Sequence, residues 1–471
     1  MSNGREQVGR HGRAAERLQG TRALLPGGWS AGTVIEADAE GCIAAVAAGT
    51  VAGDGILLPG MPNAHSHAFQ RALAGRSEWA GPGADSFWSW REGMYALARR
   101  LDPAAIEVIA TWLYTEMLEA GYTTVCEFHY LHHAADGRRH GDIAATSRAL
   151  LRAAAASGIR LTLLPVLYQQ GGFGGQPPSA GQRGFVLELP EYLELLEALR
   201  AEQGPAVRIG IGLHSLRAVS PAAIEAVLEW RAAHDPGCPV HIHVAEQPRE
   251  VAECLAWSGS RPVQWLLERG LPDRHWCLVH ATHMDAQETR ALAASGAVVA
   301  LCPSTEANLG DGIFPLADFL DAGGRIAIGS DSQVSVSPLE ELRWLEYGQR
   351  LVQGRRNVAA SAAEPHCGAR LFRAALAGGA AACGQPVGAL ATGHAADAIE
   401  LDGAHPALAG AQDDELLDRL VFAGSRPLLR RAFVAGRELV HDGHHRLAAS
   451  AGVEFAALMQ EASRASSHGQ S

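Results

Sequence analysis

The 471-residue chain has no CxxC pair, although it carries eight cysteines, at positions 42, 126, 238, 254, 277, 302, 367 and 383. Thiols scattered over apparent strands and helices read as small buried hydrophobes of a reducing compartment, which excludes a disulfide framework. No apolar run is long enough to span a bilayer. The first twenty or so residues carry Arg5, Arg10, Arg13 and Arg17 but lack the apolar core of a secretory signal. They read as a floppy extension, with an organelle address as the weaker alternative. Positive charge is not in excess either. The formal net charge of -12 argues against a general nucleic-acid surface, yet a few pocket arginines can still hold an anionic substrate. There is no Lys-rich or Gly-rich phosphate cradle, which weakens nucleotide readings. Together these absences point to a cytoplasmic protein without membrane or nucleic-acid partners.

What is present is core. Hydrophobic residues make up 47% and charged residues 19%, so a full barrel core can be buried with room for a second small domain. From about residue 58 short apolar runs alternate with helical patterns, and eight strand candidates can be counted. They end at Asn63–His67 or span Thr123–Tyr130, Arg160–Tyr168, Val207–Ser215, Pro239–Glu246, His275–His280, Ala297–Pro303 and Arg325–Asp331. Between them Ile106–Ala120, Asp142–Ser157, Tyr192–Ala201, Ala222–Ala233 and Ala286–Ala294 repeat apolar residues at helical spacing. The alternation predicts parallel strands joined by crossover helices, a (β/α)8 TIM-like barrel over 59–384.

A hairpin at Thr33–Ala37 and Cys42–Val46, with strands at Ala398–Leu401 and Ala432–Val440, predicts a small β-sandwich domain built from both termini. Its two pieces are 21–58 and 385–450, flanked by a flexible extension over 1–20 and a helix or disordered tail over 451–471. The tail is polar from about Ser463 and carries no packing signal. The chain has no internal repeat.

The chemistry begins at His65-Ser66-His67. Side chains two apart on a strand share a face, so both imidazoles look into one mouth at the carboxyl end of the first barrel strand. By itself an HxH pair is weak. The other members come in strand order: His243 with Glu246 closes the fifth strand, His280 the sixth and Asp331 the eighth. Apolar runs feed each of them, and a buried His or Asp there must be paired or metal-bound to offset its desolvation. Imidazole and carboxylate ligands with an open position suit catalytic zinc, with iron(II) as the alternative. His241 shares a face with His243 but lies deeper, and reads as a core histidine or one that backs a ligand.

The segments Pro59–Gly75 (PGMPNAHSHAFQRALAG), His243–Gln247 (HVAEQ), Cys302–Pro315 (CPSTEANLGDGIFP) and Gly329–Val334 (GSDSQV) resemble the amidohydrolase superfamily. Within it they resemble the formimidoylglutamate deiminases of bacterial histidine breakdown. The match runs from about Ala23 to Ala448. HxH and HxxE mark only the superfamily; HAFQRA and STEANLGDG are narrower. The resemblance implies one zinc ion held by His65, His67, His243 and Asp331, with Glu246, His280 and Asp331 as catalytic residues. The superfamily's bridging carboxylated lysine at the end of strand four is absent, since that strand ends in His214-Ser215, and a mononuclear site is expected. A homodimer is implied as well.

The implied substrate is a small linear amidine with two carboxylates, converted to a formyl compound and ammonia. Carboxylates are held best by planar arginine forks with neutral or protonated donors beside them. Gln70, Arg91, Tyr130, His214 and Arg217 match the family's substrate-binding positions. Read alone, Arg91 after Trp88-Ser89-Trp90 has a surface cation stacked on indole as its weaker alternative, as has Arg217; Tyr130 is better placed because it ends a strand, with a structural hydroxyl as the alternative. Two rival functions remain open. One is a purine or pterin deaminase, which needs an aromatic slot in place of arginine forks. The other is a metal-free barrel acting as a scaffold. The sequence leaves undecided whether Glu306 and Asn308 touch substrate or only shape their loop.

Overall fold

Strands that are apolar at every position, rather than at alternate ones, must be covered on both faces. In the computed structural model, which describes residues 17–79, 85–424 and 428–468, that is where such strands lie. The barrel strands are β1 (Met61–Ser66), β2 (Tyr122–His129), β3 (Arg160–Leu167), β4 (Ile211–Ser215), β5 (Val240–Val244), β6 (Trp276–His280), β7 (Val298–Leu301) and β8 (Arg325–Ile328). They pair in parallel and in order, with nearly every residue buried. A short strand ahead of β4, Val207–Ile209, also pairs with β3. The ends of the sheet meet at Ser66 and Asp331. There the His67 N–H donates to the Asp331 carbonyl at 3.1 Å, and the Asp331 N–H to the His65 carbonyl at 3.0 Å. Gly329 makes this approach feasible, because a Cβ on it would lie 2.8 Å from both the Cβ and the carbonyl oxygen of His65.

The crossover helices are those the periodicity predicts, at Pro103–Ala120, Ala145–Ser157, Leu189–Arg200, Pro221–His234 and Ala286–Ser295. The first shows how sequence sets their ends. Asp102 accepts the Ala105 N–H, Pro103 opens the first turn, and Gly121 stops the helix at φ +102°. Two further helices, Phe87–Ala98 after β1 and Pro303–Leu309 after β7, stand at the carboxyl ends of the strands. None of the described helices is long and apolar enough to cross a membrane.

The second sheet has eight strands drawn from both ends of the chain, Arg17–Leu25 to Ile56–Pro59 and Ala398–Leu401 to His444–His445. The hairpin is longer than its sequence signal, pairing Gly28–Ala37 with Ile43–Ala48. Arg17–Leu25, absent from the sequence reading, lies between Gly28–Ala37 and Ile56–Pro59. Its alternation is broken by Gly20 and by Arg22, which leaves the sheet for the Ala411 carbonyl and Asp413. Of the presumed extension, residues 1–16 lie outside the described residues, while Arg17 to Gly20 belong to this strand. At the other end a helix runs from Ala448 through Ser463 to His468, and the rest of the presumed tail lies outside the described residues. Its packing on Pro103–Ala120, with Phe455 stacked on Trp112 and Met459 beside Ile109, supplies the order that a polar composition does not announce.

Sheet and barrel are joined by a buried ion pair. Arg160, the first residue of β3, meets Asp397 twice, Nε to Oδ2 at 2.7 Å and Nη2 to Oδ1 at 3.0 Å. Asp397 also accepts the Ala435 N–H at 2.8 Å. At the barrel floor the His241 Nε2–H donates to the Ala382 carbonyl at 2.8 Å, and between strands His132 does the same to Val166 at 2.9 Å. Burial pushes His241 down to about 4 and His132 to about 3, against the pull of those carbonyls.

Two predictions follow from these contacts. Replacing Asp397 by Ala strands a buried guanidinium and should lower unfolding stability by about 3–5 kcal/mol; an unchanged denaturant midpoint would show that the pair does not hold sheet to barrel. For the histidines the sign is fixed by proton uptake. The unfolded chain binds a proton on each below a pKa of about 6.5, and the fold does not until about 4 or 3, so stability falls as pH drops below 6.5. Between pH 7.5 and pH 5, His241→Gln should lose about 2 kcal/mol less than the wild type in urea unfolding. Parallel pH curves for the two proteins would refute the assignment.

Candidate metal centre and its cleft

The carboxyl ends of β1, β5 and β8 bring His65, His67, His243 and Asp331 together, with one ligand atom of each within 4.8 Å of all the others. Nε2 of His65 lies 3.1 Å from Nε2 of His67 and 3.0 Å from Nε2 of His243. The Asp331 Oδ1 is 3.3 Å from His67 and 3.6 Å from His65. The opposite ring nitrogens decide what these contacts are. His67 Nδ1 is 2.8 Å from the Phe128 carbonyl, and His243 Nδ1 is 3.0 Å from the His214 carbonyl. A carbonyl can only accept, so each Nδ1 carries the hydrogen and each Nε2 lone pair points inward. Two lone pairs converging with the His65 ring beside a carboxylate match what a divalent cation needs. Burial keeps the imidazoles neutral: it pulls His67 down to about 3 and places His65 and His243 well below the usual range.

His280, at the end of β6, faces the other side of Asp331. Its Nε2 lies 3.6 Å from Asp331 Oδ2 and 3.6 Å from Glu246 Oε1, while its Nδ1 is 3.1 Å from Glu306 Oε1. Burial alone would lower its pKa, but Glu246, the hydrogen bond to Glu306 and the charge on Asp331 outweigh that and raise it well above the ordinary value. Burial lifts Asp331 to about 7 against the opposing pull of His280. A second trio, His280, Cys302 and Asp331, also has atoms close enough to share an ion. Burial pushes the Cys302 thiol far up, however, which makes it a poorer donor than the imidazoles.

The backbone here is strained. Ala245, His280, Ala281, Asp331 and Gln333 all have positive φ, between +43° and +68°, although none is glycine. These turns swing the side chains that follow apolar strands into the mouth. A hydrogen-bond network braces the seam behind the ligands. Asn63 Nδ2 donates to Ser330 Oγ at 2.6 Å, and Gln333 Nε2 to the Asp331 carbonyl at 2.7 Å and to Ser66 Oγ at 3.0 Å. Ser66 donates to Glu127 at 2.7 Å, and burial raises that carboxyl to about 7.

A cleft of about 570 Å³ opens above the centre. Gln70, Arg91, Tyr130, His214 and Arg217, the five residues expected to bind substrate, all line it with His67, His243, Glu246, His280 and Asp331. Gln70 Nε2 donates to the Tyr130 hydroxyl at 2.8 Å. Arg91 does stack, 4.5 Å above Trp88 and 5.5 Å from Tyr95, and it still reaches the cleft. The Nε atoms of Arg91 and Arg217 are buried without a hydrogen-bond partner. Arg217 has Glu250 at 4.0 Å as its nearest counter-ion. Burial and then Arg217 hold His214 well below its usual range.

His241 is not brought to the centre, since its ring ends on the Ala382 carbonyl. Asn308 turns outward to Glu78 at 3.0 Å, whereas Glu306 turns inward to His280. Residues that sequence reasoning missed complete the wall: Met94, Tyr95, Tyr168, Phe185, Thr305 and Ser332. Tyr168 ends the third strand candidate and could have been found by the same counting. Phe185 sits in a loop without periodicity and gave no signal.

The amidohydrolase family model matches residues 56–439. Formimidoylglutamate deiminase of Pseudomonas aeruginosa is 56% identical over 430 residues, covering 90% of this chain and 94% of that protein. A 5-methylthioadenosine/S-adenosylhomocysteine deaminase of Natronomonas pharaonis is 27% identical over 405 residues, 86% of this chain and 83% of its own. Among solved structures, an amidohydrolase from Brucella melitensis superposes with a TM-score of 0.89 at 43% identity, covering 95% of this chain and 99% of the other. Barrel, ligand geometry and likeness agree: the chain belongs to the amidohydrolase family.

Proposed function

We propose that this chain hydrolyses N-formimidoyl-L-glutamate to N-formyl-L-glutamate and ammonia, using one zinc ion held by His65, His67, His243 and Asp331. The observation that carries the reading is the pair of guanidiniums, Arg91 and Arg217, whose buried Nε atoms lack protein partners in the cleft that holds the four ligands. Two arginines in one wall, each with an unpartnered Nε, suit a substrate with carboxylates. The deiminase of Pseudomonas aeruginosa, 56% identical over 90% of this chain, supports the same choice. A single ion is favoured because the sequence contains no lysine at all, so the bridging carboxylated lysine of two-metal relatives has no source. The reading carries with it a cytoplasmic homodimer of histidine breakdown, as the resemblance in the sequence implies.

When bound, zinc supplies the Lewis acidity that makes water a nucleophile at neutral pH. Arg91, Arg217, Gln70, Tyr130 and His214 hold the dicarboxylate end and set the formimidoyl carbon beside the centre. Asp331 turns Oδ1 to the ligand histidines and Oδ2 to His280, and takes a proton from the water that adds to that carbon. His280 Nε2 hydrogen-bonds the oxygen on which negative charge develops. Glu246 passes to the terminal nitrogen the proton taken by Asp331 and then the one left on the added oxygen, so the C–N bond breaks to release ammonia as the C–O bond becomes the formyl carbonyl. Loss of the other nitrogen would give formamide and glutamate; the resemblance favours ammonia.

The cleft also carries aromatic rings, Trp90, Tyr95 and Tyr168 among them, as an aminopurine deaminase would need. That reading leaves both guanidiniums without a task. An ammonia-release assay on N-formimidoyl-L-glutamate, guanine, adenosine and N-formyl-L-glutamate separates the readings, and activity should be lost with chelator and restored by zinc. Arg91→Met or Arg217→Met should cost about a hundredfold in kcat/KM, mainly through KM, as expected for one charge-assisted contact. Turnover of purines that ignores both changes would replace the deiminase reading. Glu246→Gln should lower kcat by about 10²–10⁴-fold with metal content unchanged.

A further inference from the structure

Glu306 is buried, lies outside the ligand set, and reaches no residue of the dicarboxylate wall. It stands in the helix Pro303–Leu309, one strand along from His280. Its Oε1 accepts two hydrogen bonds, from the Cys302 backbone N–H at 2.9 Å and from His280 Nδ1 at 3.1 Å. The first ties the carboxylate to the backbone just past β7, so its position does not depend on the rotamer of another side chain. The second passes that rigidity on. His280 needs it, because its own backbone sits at φ +68° and the next residue, Ala281, at +48°. A left-handed turn of this kind is held from outside rather than by local preference. The other ring nitrogen, Nε2, is buried and has no hydrogen-bond partner in the protein. It faces the gap between Glu246 Oε1 and Asp331 Oδ2, 3.6 Å from each.

We infer that Glu306 is a positioning residue, which fixes the plane of the His280 imidazole through Nδ1 and so presents Nε2 to the reacting centre midway between Glu246 and Asp331. The inference rests on the role given to His280 under the proposed function. Without the tether the ring can turn about its χ2 bond, and Nε2 then leaves a line that both carboxylates share. Substrate binding is unaffected, because no atom of the arginine wall touches Glu306.

The test is a pair of variants read by steady-state kinetics, metal analysis and nitrogen NMR of histidine-labelled protein. Glu306→Ala should lower kcat by about 10–100-fold, the range for losing a residue that orients a functional histidine, with KM within about twofold of the wild type. Metal content should stay equal to that of the wild type. Glu306→Gln keeps an acceptor oxygen for both donors and should recover most of the loss. The NMR signal of the hydrogen-bonded His280 Nδ1–H, assigned by comparison with His280→Gln, should vanish in Glu306→Ala and persist in Glu306→Gln. Wild-type kcat in Glu306→Ala overturns the inference. So does a parallel loss of kcat, KM and metal, which would mark Glu306 as a structural brace. Should Glu306→Ala fail to fold, Glu306→Gln carries the test alone: a retained Nδ1–H signal with activity near wild type supports the tether, and a lost signal with activity near wild type refutes it. If the wild type does not turn over N-formimidoyl-L-glutamate, the substrate reading falls, while the NMR comparison still decides whether Glu306 holds the ring.

Discussion

The backbone seam between β1 and β8 carries the rest of the site. Reciprocal hydrogen bonds between Asp331 and the residues His65 and His67 close the barrel, and the same residues supply three of the four converging ligand groups. Barrel closure and ligand geometry are therefore one constraint. A shift of one residue along the seam would turn His65 and His67 to the outer face and take Asp331 off the mouth. Asn63, Ser330, Gln333, Ser66 and Glu127 form a continuous run of hydrogen bonds behind this junction, so every polar group that supports the seam is itself supported. Gly329 sets how close the strands come.

Charge is balanced around that seam in two directions. Asp331 shows one oxygen to the neutral imidazoles of His65 and His67 and the other to His280. On the imidazole side the inward lone pairs call for a cation from outside the chain. On the other side the chain has its own cation, His280, among Glu246, Glu306 and Asp331. Beyond it Asp311, tied to Gln247, is pushed by burial to about 9 and so adds no further negative charge near neutrality. Burial that lifts Asp331 to about 7, opposed by His280 beside it, leaves a carboxyl able to take up and to release a proton near neutrality.

Much of this was legible in the sequence because it follows from simple periodicity. Continuous apolar runs located all eight barrel strands, and Glu246, His280 and Asp331, which end three of them, lie at the mouth. The two-residue spacing of His65 and His67 fixed their common face. The same rule put His241 on the face of His243 but one residue pair deeper, as a core histidine. The ring of His241 lies one layer down, against Ala382. What stayed hidden depends on turns and on contacts far apart in the chain. The pairing of Glu306 with His280 needs two successive left-handed residues after β6, which no alanine or histidine announces. Arg17–Leu25 is a strand because two others flank it, despite a glycine and charged residues that argue otherwise. The helix through Ser463 is ordered by Trp112, a neighbour more than three hundred residues away in sequence.

The two halves of the cleft are built to different tolerances. Each of the four ligand groups, with Glu246 and His280, stands on a barrel strand or within three residues of one, and several are locked by backbone hydrogen bonds. The rest of the cleft wall is mixed: Arg91 comes from the helix Phe87–Ala98, Phe185 from a loop and Gln70 from a single turn after β1, whereas His214 stands on β4 and Tyr130 and Arg217 follow β2 and β4 within two residues. Arg91 is held largely by stacking on Trp88, whose ring also has Arg249 at 4.4 Å. Cation–π contacts of that kind are worth about 0.5–1 kcal/mol at exposed sites and constrain direction weakly. A change at Arg91 disturbs no barrel strand and no ligand. A barrel divided this way can exchange the group it recognises while keeping its proton chemistry, which fits a family in which 27% identity still spans 86% of this chain with a deaminase of another substrate class. Part of the cleft wall, Arg91 above all, is therefore placed by elements outside the barrel strands, whereas the four ligand groups are placed by the strand ends themselves.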